Sequence, residues 1–265
     1  MVDQQAEAAR FLEFAEQLAD AAAAVIRPYF RSKVAIDQKA DDSPVTIADR
    51  EAEQAMRALI ERTFPDHGIE GEEFGGVRLD SDYVWHLDPI DGTKSFITGR
   101  PLFGTLVSLA HHGRPVAGVI DHCMMDERWT GATGMPSRWN GEPIAIRACQ
   151  KLRDAVLYVT SPMMFKKPGE REAFARIEHA VGLPMYGGDC YAYGLLAMGF
   201  ADVIVEADLD THDYLALIPV IEGAGGVITD WKGRALDPGS DGRVLAAGDR
   251  RVHEEALELL QSVVD

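Results

Sequence analysis

The chain has 265 residues, 46% of them hydrophobic, enough for one large domain or two packed lobes with a sizeable core, which sets disorder aside. With 43 acids against 26 bases the formal net charge is -17, which argues against a nucleic-acid binder, since that needs a basic face. An anionic substrate stays open, because bound metal ions can reverse the local field.

Cys123, Cys149 and Cys190 are odd in number and far apart, with neither a disulfide framework nor zinc-ligand spacing. A reducing cytoplasm is the expected compartment. The first residues carry acids and no basic n-region, so no signal peptide is expected there. The apolar run Ala21 to Ile26 is far too short to span a bilayer.

Residues 4 to 31 predict an amphipathic helix, since Phe11, Phe14, Leu18, Ala22, Val25 and Tyr29 recur at spacings of three or four. Its polar face is not basic, so it is expected to pack on a core or a dimer partner rather than on a membrane. Lys39-Ala-Asp-Asp-Ser43 leads into Pro44, which breaks the chain. Thr46 then reads as an N-cap, with Asp49 completing a box-like start. The helix so opened should run to about Thr63, with Ala52, Ala55, Met56, Leu59 and Ile60 inward, and stop at Pro65-Asp66-His67-Gly68. Taken alone, Asp49 is a capping residue, and the Glu72-Glu73 pair is solvated surface.

The stretch from Val84 to Ile97 carries the chemistry. Val84 to Leu87 read as a buried strand that should stop at Asp88, because Pro89 cannot donate to a ladder. Asp91-Gly92 signals a turn, and Thr93 suits the N-cap of a short helix. A turn at the strand end aims Asp88, Asp91 and the Ile90 carbonyl at one point, an oxygen set suited to Mg²⁺ or Mn²⁺. The amides of Gly92, Thr93 and Lys94 at a helix N-terminus suit a phosphate. Metal ligands beside a phosphate cradle point to metal-assisted phosphate chemistry. Asp-Pro or Asp-Gly alone would be only a turn.

Gly104 to Ala110 and Pro115 to Asp121 predict two strands around a His111–Arg114 hairpin loop, where the paired histidines read as solvated. Trp129 to Ala132 and Ile144 to Arg147 should continue the sheet, around turns at Gly134 and Asn140-Gly141, and a first lobe, 1–147, should end there. In the second, 148–265, strands are expected at Ala155–Thr160, Asp202–Glu206, Val227–Thr229 and Val244–Ala247. Helices are expected at Glu170–Ala180, after Tyr193 to near Gly199, from Asp213 to Glu222 and from Val252 to Val263. The Ser161–Gly169 loop is placed near the mouth of the site. This alternation says α/β or layered α+β and selects no fold.

Asp88-Pro-Ile-Asp-Gly-Thr93 resembles the signature of the Mg²⁺-dependent inositol monophosphatase superfamily. Matching motifs follow in order from about Lys39 to Gly226: Thr46-x-x-Asp49, Gly71-Glu72-Glu73, and Asp213 followed by an apolar helix and Glu222-Gly-Ala-Gly-Gly226. The resemblance implies an α+β fold, a layered αβαβα sandwich of the inositol monophosphatase and fructose-1,6-bisphosphatase type. It implies two or three Mg²⁺ ions, with Mn²⁺ an alternative. Glu72, Asp88 and the Ile90 carbonyl would hold one; Asp88, Asp91 and Asp213 would hold a second. Thr93, with Glu72 or Asp49, would orient the attacking water and accept its proton, while the Gly92 and Thr93 amides would bind the phosphoryl oxygens. The last ligand usually follows a Trp; here His212 stands in its place and is read as packing. A homodimer is also implied.

For the ester, Glu206 matches a position that contacts the substrate's organic part, and Asp189 stands where inositol-type members usually carry a small residue. Two carboxylates there suit a cationic amine or imidazole. Gly187-Gly-Asp-Cys-Tyr-Ala-Tyr-Gly194, with Lys39 to Thr46, resembles the histidinol-phosphate phosphatase branch, so L-histidinol phosphate is the expected small metabolite. Asp189 as a helix cap is the competing reading. Inositol monophosphate, fructose bisphosphate, a nucleotide 3′-phosphate, and a metal-dependent binding protein without turnover remain alternatives.

Overall fold

The computed structural model describes residues 2–38 and 44–261. Lys39 to Ser43, and Ser262 and Val263 at the expected end of the last helix, lie outside the described residues. The N-terminal apolar stripe forms helix α1 (Val2–Ile26), shorter than the expected 4 to 31 at its C-terminal end. Pro28 disfavours helical geometry at Arg27, so the chain turns there. Phe11, Phe14, Leu18 and Ala22 are buried, and Tyr29 packs against the same cluster from the turn.

A short ribbon of β1 (Ile36–Gln38) and β2 (Pro44–Thr46) precedes helix α2 (Ile47–Thr63). The expected capping box is present: Asp49 Oδ2 accepts from the Thr46 amide at 2.9 Å and the Thr46 hydroxyl at 2.6 Å. Strands β3 (Gly68–Gly71), β4 (Gly75–Val77) and β5 (Tyr83–Asp91) follow, then helix α3 (Thr93–Ile97).

Strand β5 corrects the sequence reading, running through Pro89 to Asp91 instead of stopping at Asp88. Its register against β6 (Gly104–His111) shifts between Asp88 and Asp91. The shift leaves one extra residue on β5, so Pro89 sits where no ladder amide is needed.

Strands β6 and β7 (Arg114–His122) close through His112-Gly113, both at positive φ, a tighter turn than the expected four-residue loop. β8 (Glu127–Ala132), β9 (Arg138–Trp139) and β10 (Glu142–Pro143) complete an eight-stranded sheet of order β10-β9-β8-β7-β6-β5-β3-β4. Ile144 to Arg147 are not a strand: the Ile144 and Ile146 amides find single partners, Ser137 O and Ala224 O, rather than a ladder.

The rest alternates as expected: β11 (Val156–Val159), α4 (Glu170–Ala180), β12 (Leu183–Tyr186), α5 (Tyr191–Ala197) and β13 (Val203–Glu206). Next come α6 (Thr211–Tyr214), α7 (Leu217–Gly223), β14 (Val227–Thr229), β15 (Val244–Ala247) and α8 (Arg250–Gln261). The single helix expected from Asp213 to Glu222 is two. Pro219 lacks the N–H that would reach Leu215, and its ring would clash with that carbonyl. Strand β12 was not expected from sequence. It is an exposed edge strand in the five-stranded sheet β12-β11-β13-β15-β14.

Three apolar clusters set the layers. The first joins α1 and α2 to one face of the large sheet; the second joins its other face to α5, α7 and the small sheet. The third joins the far face of the small sheet to α4 and α8. Reading across gives α, β, α, β, α, the layered α+β sandwich. The three cysteines are buried and free. No helix among the described residues is long and apolar enough to cross a membrane.

Candidate active site

The carboxylates gather where β3 and β5 end side by side. These strands are parallel, with Gly71 opposite Leu87, so the next residues, Glu72 and Asp88, become neighbours. The Glu72 amide donates to Leu87 O at 3.1 Å, and the Glu72 and Asp88 carboxyl groups lie within hydrogen-bonding reach of each other. Asp213, in α6, enters from the middle layer. One oxygen each of Asp88, Asp91 and Asp213 lie within 4.8 Å of one another.

Each of these three side chains is fixed by a backbone amide. Asp88 Oδ1 accepts from Ile90 N at 2.9 Å, Asp91 Oδ2 from Cys190 N at 2.8 Å, and Asp213 Oδ2 from Asp210 N at 2.7 Å. Asp210, not Asp213, is the N-cap of α6; Asp213 is its N3 partner. Likewise Gly92, at φ 82°, is the N-cap of α3, and Thr93 is its first helical residue. A left-handed residue is needed to turn from strand to helix here, which glycine adopts without strain. The Thr93 hydroxyl donates to Ile90 O at 3.2 Å. The Thr93 and Lys94 amides, in the first helical turn, have no intrahelical acceptor.

Asp49 is fully buried, and its second oxygen, Oδ1, has no hydrogen-bond partner among the described residues. Its pKa is raised, first by burial and further by Glu72, against the opposing bonds from Thr46. Burial is also the largest cause at Asp88, pushed well above the usual carboxylate range with Glu72, Asp91 and Asp213 adding. Asp91 is raised likewise by burial, then by Asp189 and Asp213, against the Cys190 amide. Asp213 is pushed up to about 8 by burial, opposed by the Asp210 amide and reinforced by Glu72. An all-oxygen cluster whose members repel one another is the donor chemistry a hard divalent cation takes. The residues present fit such an ion. His212 Nε2 lies 3.5 Å from Asp213 Oδ1, at the edge of this cluster.

Beside the cluster is a small cavity lined by Asp91, Asp189, Asp213, Glu206, Thr160 and Met164, the last from the loop expected near the mouth. Asp189 does not cap α5, whose N-cap is Cys190 with no side-chain bond. Instead Asp189 Oδ2 accepts from Ser95 Oγ at 2.6 Å, and its carboxyl carbon lies 3.0 Å from where a Cβ on Gly92 would sit. Burial raises its pKa, while Ser95, Arg100 and Lys94 lower it. Glu206 is buried; its oxygens accept from Thr160 N and Tyr193 OH, each at 2.9 Å. Burial raises its pKa against those two donors.

The structure therefore brings Glu72, Asp88, Asp91 and Asp213 together, with Ile90, Gly92 and Thr93 on the same turn and Asp189 and Glu206 on the adjoining wall. The roles of Ser95 and Thr160 were not read from the sequence. Ser95 follows Thr93 by two residues and carried no separate signal; Thr160 acts through its amide, which side-chain identity does not report. A wider cleft of about 540 Å³ lies elsewhere, lined by α1 and β7–β8 residues. Its two arginines are already paired, Arg27 with Asp126 and Arg128 with Asp20 and Asp121.

The profile of the inositol monophosphatase family matches residues 7–265. Among curated relatives, the chain is 50% identical to the bifunctional phosphatase IMPL2, chloroplastic, of Arabidopsis thaliana, over 95% of this chain and 75% of that protein. It is 35% identical to the histidinol-phosphatase of Chlorobaculum parvum, over 89% of this chain and 91% of the relative. It is also 33% identical to the probable inositol 1-monophosphatase ImpA of Mycobacterium tuberculosis, over 96% and 95%. Among solved structures, an inositol monophosphatase from Zymomonas mobilis superposes with a TM-score of 0.88 at 48% identity, covering 95% of this chain and 98% of that one. With the fold, the gathered carboxylates and these matches in agreement, the chain belongs to the inositol monophosphatase family.

Proposed function

We propose that this phosphatase hydrolyses L-histidinol phosphate to L-histidinol and phosphate, with Mg²⁺ as its metal and Mn²⁺ as a substitute. In this reading Glu72, Asp88 and the Ile90 carbonyl hold one ion, and Asp88, Asp91 and Asp213 hold a second. A third has no assigned ligands. Bound there, the ions supply positive charge and Lewis acidity to the phosphoryl group and the attacking water. The chain's own residues do the rest. The Gly92 and Thr93 amides bind phosphoryl oxygens at the start of α3. The Thr93 hydroxyl orients the water, and Glu72 or Asp49 takes its proton.

The observation that carries the choice of ester is the pair of acids beyond the metal cluster. Asp189 and Glu206 share one cavity with Asp91 and Asp213. Burial raises the pKa of both, and hydrogen bonds from Ser95, Thr160 and Tyr193 act against that shift. A wall of fixed carboxylates suits an amine or imidazole on the leaving alcohol better than a neutral polyol. Relatives named as histidinol-phosphatases support this; the inositol monophosphatase from Zymomonas mobilis, at 48% identity, supports inositol 1-phosphate as the second reading.

The test is phosphate release by EDTA-treated enzyme after Mg²⁺ is restored, with histidinol phosphate and inositol 1-phosphate compared by kcat/KM. Preference for histidinol phosphate is expected. Preference for the inositol ester would favour the second reading, and release from neither would remove both.

A further inference from the structure

We infer that Glu53, braced by Arg57, is a positioning residue for Glu72. The inference rests on the reading of Glu72 as a metal ligand. Helix α2 places Asp49, Glu53 and Arg57 at intervals of four residues, one stripe along its inner side. Glu53 is fully buried. Its Oε2 accepts from the Glu73 amide at 2.7 Å, and its Oε1 from the Phe74 amide at 3.2 Å. Those are the two amides that follow Glu72. The Glu72 amide itself is held by Leu87 O at 3.1 Å, on the strand that carries Asp88. The backbone is thus anchored on both sides of the Glu72 side chain.

Arg57 completes the clamp. Its Nε lies 2.7 Å from Glu53 Oε1, and its Nη2 donates to Gly75 O at the end of the same turn. Glu53 therefore reaches the site already paired with a cation, and its charge is balanced from outside the metal cluster. Gly71 is shaped to admit it: a Cβ there would lie 2.0 Å from Glu53 Oε1, so only glycine leaves room for the carboxylate. A partly exposed turn of this kind could satisfy its amides with water or a backbone carbonyl. Here a charged side chain from another element is committed to them, on the helix that also carries Asp49. Groups that orient a metal ligand typically alter metal affinity by about 10- to 100-fold when removed.

The test uses the full chain, stripped with EDTA and titrated with Mn²⁺, free Mn²⁺ being followed by electron paramagnetic resonance. Wild type, Glu53→Gln and Glu72→Gln are compared. The carboxamide introduced by Glu53→Gln retains one acceptor and turns a donor toward the turn in place of the other. Glu53→Gln is expected to weaken Mn²⁺ binding about 10-fold or more, with cooperative unfolding retained in EDTA. Its half-saturating Mg²⁺ in the phosphate-release assay should rise by a similar factor, while KM for the ester at saturating Mg²⁺ stays near wild type. Glu72→Gln weakens Mn²⁺ at least as much. Weak binding in Glu72→Gln with wild-type binding in Glu53→Gln overturns this inference alone. Wild-type binding in Glu72→Gln overturns the ligand assignment beneath it. Should Glu53→Gln fail to fold, Arg57→Gln carries the test, with about 10-fold weaker Mn²⁺ binding expected and unchanged binding overturning the inference.

Discussion

The Tyr193 hydroxyl on α5 lies 2.9 Å from Oε2 of Glu206 at the end of β13, both residues buried. Burial raises the Glu206 pKa, and the hydrogen bond from this hydroxyl acts against that shift. Tyr193→Phe removes one of two donors to a buried carboxylate. A stability loss of about 1.5–3 kcal/mol is expected, measured by urea unfolding. If Glu206 faces a cationic leaving group, KM for histidinol phosphate rises while KM for inositol 1-phosphate holds. Equal losses with both esters would assign Tyr193 to packing only.

Asp88 has burial and three carboxylate neighbours acting against its charge. Asp88→Asn replaces a carboxyl group whose charged form the metal-free site disfavours, so in EDTA the variant is expected to melt at or above the wild-type temperature. It should also lose nearly all phosphate release. Wild type should gain stability with Mg²⁺, about 2.7 kcal/mol at a hundredfold excess over Kd, and the variant much less. Calorimetric melting with and without Mg²⁺ reads both. Full activity in the folded variant would contradict the ligand assignment.

Gly92 turns the chain at φ 82° with the Asp189 carboxyl group against it. Gly92→Ala must hold a left-handed conformation, costing about 1–2 kcal/mol, and must displace Asp189. Lower thermal stability is expected, with a larger loss of kcat/KM for histidinol phosphate than for inositol 1-phosphate. A variant as stable and active as wild type would show that the turn tolerates a side chain.

His122 is fully buried, with its ring 3.5 Å from Cys190 Sγ and edge-on to Trp129 and Tyr191. Burial pushes its pKa down to about 3. Because the folded pKa lies below the unfolded value of about 6.5, the unfolded chain binds a proton that the folded one refuses. Its contribution is complete above about pH 6.5 and is lost as pH falls toward 3, at up to about 1.4 kcal/mol per pH unit. Urea midpoints should therefore fall between about pH 7 and about pH 5, and less steeply in His122→Gln. Parallel profiles would exonerate His122.

Several elements were legible because their information is local. Thr46 and Asp49 sit three residues apart and form the capping box that their spacing suggests. Asp88-Pro-Ile-Asp-Gly-Thr93 holds strand end, turn and helix start within six residues. Other readings failed where a partner decided the outcome. Pro89 belongs to β5 because a register shift against β6 removes the need for its amide. Ile144 to Arg147 have strand-like composition but no neighbouring strand in register. β12, with Pro184 within it and an exposed edge, has no alternation to reveal it.

The sequence by itself determined the acids, their spacing within each motif, and the helices and turns that present them, since propensity and capping act over a few residues. Only the tertiary structure decided which acids meet. Ser95 and Asp189 are 94 residues apart, and the Asp91 carboxylate and Cys190 amide 99. No spacing rule spans such distances. Like charges are brought together there because burial of three apolar clusters outweighs their mutual repulsion.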